Sequence, residues 1–117
     1  MQMHTQELLK HFLPEGILDY FELKEVKDST NKLTLVLEEK PIQPDELSHR
    51  KLHSKGFYPV VDIQDFPVRN KACFLQVKRR RWLDVDTSEV FSRDWNLVAK
   101  GTRMTEEFSL FLKRLVR

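Results

Sequence analysis

The chain predicts an α+β fold, a small antiparallel sheet of two hairpins flanked by an N-terminal and a C-terminal helix. Three observations carry this expectation. Leu33, Leu35 and Leu37 alternate with Thr34, Val36 and Glu38, the period-two signature of a strand. Cys73, Leu75 and Val77 repeat that alternation within a longer run, Ala72 to Leu83. At the two ends, Leu8, Leu9, Phe12 and Leu13, and then Phe108, Phe111, Leu112 and Leu115, fall at helical spacing instead. A length of 117 residues suits a single domain over 1–117, large enough for a real core.

Taken in order, the opening helix is expected over Thr5 to Leu13, stopped by Pro14-Glu15-Gly16. Ile17 to Lys27 begins as a helical turn and reads as a strand from Phe21, through Leu23 and Val26. Asp28-Ser29-Thr30-Asn31-Lys32 is turn chemistry, so the strand around Leu33 to Leu37 closes a first hairpin, and helix and hairpin together occupy 1–40. Pro41-Ile42-Gln43-Pro44 breaks the sheet, and Asp45 to Ser54 is expected as a short helix ended by Gly56. Tyr58 to Phe66 reads as a strand ended by Pro67, joined through Val68-Arg69-Asn70-Lys71 to the long strand Ala72 to Leu83. On that strand Phe74, Gln76, Lys78, Arg80 and Trp82 share the face opposite Cys73, Leu75 and Val77. Val90 to Trp95 would return beside it across the Asp84–Ser88 turn, and Thr102 or Thr105 would cap the final helix after Gly101.

A hydrophobic fraction of 40% with a charged fraction of 32% excludes a disordered tail. Apolar runs of only a few residues do not span a bilayer, and Met1-Gln2-Met3-His4 lacks the pattern of a signal peptide. A single cysteine, Cys73, excludes an internal disulfide framework, fits a reducing cytoplasm, and sits where a small buried hydrophobe is expected. The net charge of +2 is unevenly placed: 15–46 carries nine acids against four bases, and 47–117 carries fifteen bases against eight acids. That asymmetry points to an anionic partner for one part of the surface, unless folding intermixes the two halves.

The sharpest feature is Lys78-Arg79-Arg80-Arg81-Trp82. Four consecutive cations repel one another, and a nucleic-acid backbone would give them a reason to gather, because each neutralised phosphate releases counterions. Trp82 would stack on a base or a sugar. A solvated strand end that only keeps the protein in solution is the competing reading. Arg69 and Lys71 in the turn, and Arg93, Lys100 and Arg103 beyond the strand, would widen the patch, while Trp82 and Trp95 are either contact residues or sheet anchors.

Other chemistries find little. His49 and His53 would share one face of a helix, but a closed zinc site wants four ligands and the cysteine lies elsewhere. Asp62, Asp65, Asp84, Asp86 and Asp94 form no local acid–base pair, the three glycines build no phosphate cradle, and Cys73 has no neighbouring base. No catalytic residue, metal or cofactor is expected.

Lys55-Gly56-Phe57-Tyr58, Asp65-Phe66-Pro67-Val68 and Phe74 to Trp82, followed by Thr102 to Phe108, resemble the N-terminal region of bacterial insertion-sequence transposases with an Asp-Asp-Glu (DDE) catalytic core. The resemblance spans 54–112, about half of the chain. In that group the segment belongs to a zinc ribbon with a Cys-x-x-Cys knuckle. Here Leu83-Asp84-Val85-Asp86 and the stretch from Glu46 to His53 hold no cysteine, which implies a front end without zinc and a larger hydrophobic core in its place. The resemblance implies a non-catalytic, cytoplasmic module that binds the DNA of transposon ends. Phosphate contacts would come from Arg69, Lys71, Lys78, Arg79, Arg80 and Arg81, with Arg93, Arg103 and Trp82 adding to them. The alternative is a protein–protein module that docks on a catalytic transposase subunit.

Overall fold

The computed structural model describes residues 2–93 and 103–116. The content is α+β, as expected, but the strands form two sheets instead of one. Helices α1 (Gln2–Leu9) and α2 (Ile17–Tyr20) lead into β1 (Phe21–Asp28) and β2 (Lys32–Glu39). A 3-10 turn (Asp45–Leu47) precedes β3 (Leu52–Phe57), β4 (Val61–Val68), β5 (Lys71–Lys78), β6 (Arg80–Asp84), β7 (Val90–Phe91) and α3 (Glu106–Leu115). The larger sheet has the order β1-β2-β5-β4 and the smaller one β3-β6-β7.

Both expected hairpins are present. β1 pairs antiparallel with β2, with a bulge between Leu23 and Glu25, and β4 pairs antiparallel with β5. Arg69 and Asn70 both take positive φ, 50° and 69°, the left-handed pair that a tight two-residue hairpin turn requires. The two hairpins join through a parallel pairing of β2 with β5, from Lys32 beside Ala72 to Glu38 beside Lys78. Alternation gives each strand its inward face but not its neighbour, so the parallel contact was not foreseeable from it.

Leu37, Ile63, Leu75 and Val77 are fully buried on the inward face of the larger sheet, with Leu13, Ile17 and Phe21 packed over them. Removing this apolar surface from water supplies the main drive for folding. The opening helix sits earlier than Thr5 to Leu13. It loosens after Leu9 into turn-like bonds, such as the Phe12 N–H to the Leu9 carbonyl at 3.0 Å, and Pro14, which has no N–H to donate, bars its continuation. Of its expected apolar face Leu13 is buried, but Leu8 and Phe12 remain exposed.

Two further expectations change. Asp45 to Ser54 is not a helix: only the 3-10 turn forms, and Leu52 begins β3. Gly56 is not a helix stop but adopts φ +75° within the bulge of β3 against β6, between Ser54 and Phe57. The long strand Ala72 to Leu83 is cut at Arg79. Odd-numbered residues are buried through Val77 and even-numbered ones from Trp82 onward, so the chain changes phase as it passes between sheets. At that point the Arg80 N–H donates to the Glu39 side chain.

β7 returns beside β6 at Val90 and Phe91, as expected for the start of Val90 to Trp95. Trp95, Lys100 and Thr102 lie outside the described residues. Thr105 caps α3, its hydroxyl accepting from the Phe108 N–H at 3.3 Å and donating to Asp65 at 2.9 Å. Main-chain bonds between Gln64 and both Arg103 and Thr105 hold the approach to α3 along β4, and Phe108 packs on Phe66 with ring centroids 5.2 Å apart. Among the described residues, no helix is long and apolar enough to cross a membrane.

Candidate nucleic-acid interface

The basic run lies at the seam between the two sheets, and Glu39 organises it. Glu39 continues the inward series Leu33, Leu35, Leu37 by one more step, which buries a carboxylate to 1% exposure at the end of β2. Such a group is tolerated only when donors surround it. Its Oε1 accepts from the Arg80 N–H at 2.9 Å, and its Oε2 accepts from the Trp82 indole N–H at 2.9 Å and from Arg93 Nε at 3.2 Å. Arg80 Nε donates to the Glu39 carbonyl and its Nη1 to Ser54 Oγ, each at 2.8 Å. Arg93 also donates to the Ile42 carbonyl and lies 4.3 Å from the centre of the Tyr20 ring.

This arrangement corrects part of the expected contact set. Trp82 is buried, with its N–H engaged, so its ring has no open face for a base; the anchor reading is the one the geometry supports. Arg80 and Arg93 have most of their hydrogen-bonding capacity directed inward and act as struts of the fold. Lys71 pairs with Asp28 across the sheet. The acidic and basic halves of the sequence therefore intermix, and the charge asymmetry counted along the chain is partly cancelled in space.

Among the described residues, the remaining expected cations do not form one patch. Arg69 is exposed in the β4–β5 turn, separated from Lys78 by the length of β5, about 23 Å at the usual strand rise. Arg103 is exposed at the outer edge of β4. Arg81, in contrast, is exposed on the outer face of the smaller sheet, since its neighbour Trp82 points inward. His53 pairs with Leu83, and Leu83 with Val90, in one outer row. Between the inward Ser54–Trp82 pair and the Phe57–Arg80 pair, the bulge of β3 sets Lys55 and Gly56 opposite Arg81, and Lys55 is exposed.

Two aromatics interleave with these cations. Lys78 Nζ and the Arg80 guanidinium lie 5.7 Å and 4.8 Å from the centre of the Phe57 ring. The Arg79 and Arg81 guanidiniums lie 5.7 Å and 6.0 Å from that of Tyr58. Even-numbered cations thus meet one aromatic and odd-numbered cations its neighbour, because successive residues of both segments face opposite ways. The Tyr58 N–H donates to the Arg79 carbonyl at 2.8 Å, fixing the two segments together, and Arg79 Nη2 donates to the Arg93 carbonyl at 3.3 Å. Lys55, Phe57 and Tyr58 were not among the expected contact residues. Reading 45–54 as helix hid the strand that carries Lys55.

Other polar clusters are structural in kind. Asp84, buried in the smaller sheet, accepts from Arg50 Nη1 at 2.9 Å and from the Asp86 N–H at 2.8 Å. The Arg50 hydrogen bond, followed by that from Asp86, holds its carboxyl below the usual aspartate value. Cys73 is buried, and burial together with nearby Asp65 pushes its thiol up to about 11, where no reactive thiolate forms near neutrality. His53 lies on a strand, so the helical spacing that paired it with His49 does not apply. Among the described residues no group of three or more His, Cys, Asp or Glu side chains converges as a metal site. A cleft of about 450 Å³ opens beside α1, lined by Leu9, Phe12, Leu33, Leu35, Phe66 and Val68 with others.

Comparison with protein-family models, with curated proteins and with solved structures finds no match.

Proposed function

We propose that this domain is a non-catalytic, cytoplasmic DNA-binding module of an insertion-sequence transposase, acting at transposon-end DNA. The observation that carries the reading is the outer face of the smaller sheet. There Arg81 is exposed next to Tyr58 and Arg79, with the exposed Lys55 in the β3 bulge opposite it, while the buried acids Glu39 and Asp84 face the other way. Lys78 and Arg79 extend the cationic surface along the seam. A platform of cations with interleaved aromatics suits a phosphate backbone and its bases. The transposase assignment comes from the motif resemblance over 54–112.

The experiment is a fluorescence-anisotropy titration with labelled transposon-end DNA at two salt concentrations, comparing the native protein with the Lys55→Ala/Arg81→Ala double variant. Binding by the native protein should weaken steeply with salt, and the double variant should lose affinity with a shallower slope, by about one unit per phosphate contact removed. Lys113→Ala/Arg114→Ala, on the exposed end of α3, should bind as the native protein does. Equal affinity and equal slope for the native protein and the Lys55→Ala/Arg81→Ala variant would remove the assignment.

A second reading is favoured by the apolar cleft beside α1 and by exposed Phe12, Phe111 and Leu115: docking on a catalytic transposase subunit. A protein that only docks would leave the labelled DNA unbound in that titration, and its binding to the catalytic subunit would be nearly insensitive to salt.

A further inference from the structure

The geometry points to unpaired nucleotides as the ligand of this face: we propose that it binds single-stranded nucleic acid, with Tyr58 as a base-stacking residue between Arg79 and Arg81. The proposal rests on the nucleic-acid reading above and specifies its substrate class.

Neither long helix is built to enter a duplex groove. α3 opens with Glu106 and Glu107, which would meet phosphates with like charge, and its Phe108 face is committed to Phe66. α1 carries no basic residue in its last turn. A two-stranded β-ribbon also fits a major groove about 12 Å wide. The smaller sheet has three strands at Trp82, however, and three strands at about 4.8 Å each span about 14 Å before side chains are added. Against a duplex, the face reaches phosphates only. Reading bases across it requires that they be splayed out of the stack.

Tyr58 is placed for that purpose. The residue is half-buried, and its main chain is fixed by the bond to Arg79. The guanidiniums of Arg79 and Arg81, alternate residues of the basic run, lie 5.7 Å and 6.0 Å from the centre of its ring. A base laid on the ring would have the exposed Arg81 beside it for a flanking phosphate. The outer-face residues His53, Arg81, Leu83 and Val90, with Lys55 in the bulge opposite Arg81, include no acid to repel the strand.

The test uses the full chain with labelled oligo(dT) and, separately, a duplex of the same length, at low and high salt. The single strand should bind about tenfold more tightly, Tyr58→Leu should lose about tenfold for it, and Tyr58→Phe should retain binding. Ultraviolet cross-linking of a bromouracil-containing strand to the native protein, mapped by mass spectrometry, should mark Tyr58 and stands even if Tyr58→Leu fails to fold. A duplex bound as tightly as the single strand overturns this proposal and leaves the nucleic-acid reading standing. Failure to bind either overturns both. Single-strand preference with cross-links only elsewhere overturns the role of Tyr58.

Discussion

Replacing Glu39 by Gln should destabilise the protein far more than an isosteric change normally does. The side chain keeps its volume, so no cavity forms and packing losses are small. What changes is the donor–acceptor balance. Both carboxylate oxygens accept, Oε1 from the Arg80 N–H and Oε2 from Trp82 and Arg93. An amide offers one oxygen and one NH₂, so in either orientation a donor faces a donor. Arg93, with its side chain 8% exposed beside a fully buried Glu39 side chain, also loses its counter-charge. Hydrogen bonds to charged groups contribute about 1.5–3 kcal/mol each, and breaking a buried ion pair on one side costs about 3–5 kcal/mol. These overlap, and we expect a loss of about 3–5 kcal/mol. Urea unfolding followed by tryptophan fluorescence would read this as a midpoint lowered by about 1.5–2.5 M, for a slope of about 2 kcal/mol/M. Glu39→Gln/Arg93→Gln should lose much less than the sum of the single changes, since both remove the same pair. A Glu39→Gln midpoint within about 0.3 M of the native one would refute the argument that this carboxylate holds the seam.

Three further outcomes are expected. Thr105→Ala removes the cap of α3 and a donor from buried Asp65, and should cost about 2 kcal/mol in the same assay, with Thr105→Ser restoring most of it. The depressed carboxyl of Asp84 contributes stability above the unfolded aspartate value near pH 4, and that contribution is lost as the pH falls through the lower folded value. Urea midpoints taken from neutral pH downward should therefore drop less steeply for Asp84→Asn than for the native chain. Cys73, with its thiol pushed up to about 11, should react with a thiol reagent at mildly alkaline pH only slowly while folded and rapidly in urea.

Much of the fold was legible because local chemistry dictated it. Alternation gave β2 and β5, the Val68-Arg69-Asn70-Lys71 stretch gave the hairpin turn, and the apolar spacing of Phe108, Phe111, Leu112 and Leu115 after a capping threonine gave α3. The stretch around β3 misled because Leu47 and Leu52 accommodate a helical reading, and because Gly56 serves a bulge as well as it would a helix end. At the candidate site, consecutive cations were read as equivalent, although a strand presents neighbours to opposite faces and only Arg81 of the run is well exposed. A usable signal was present in Glu39: a carboxylate extending the series Leu33, Leu35, Leu37 demands buried donors, and Trp82 and the arginines were the donors at hand. The parallel pairing depends on contacts distant in sequence, which periodicity does not encode.

The side-by-side alignment of β2 with β5 sets an order on how the chain assembles. The first hairpin has both its strands by Glu39, but its companion along β2 arrives only when the ribosome has added Lys71 to Lys78. Until then β2 has an unpaired edge and its leucines lack their neighbours Leu75 and Val77 in the sheet, and closing so long an intervening loop is slow. The interval in which this half-built sheet is exposed is the stage most open to clumping, and most in need of a holding chaperone during synthesis.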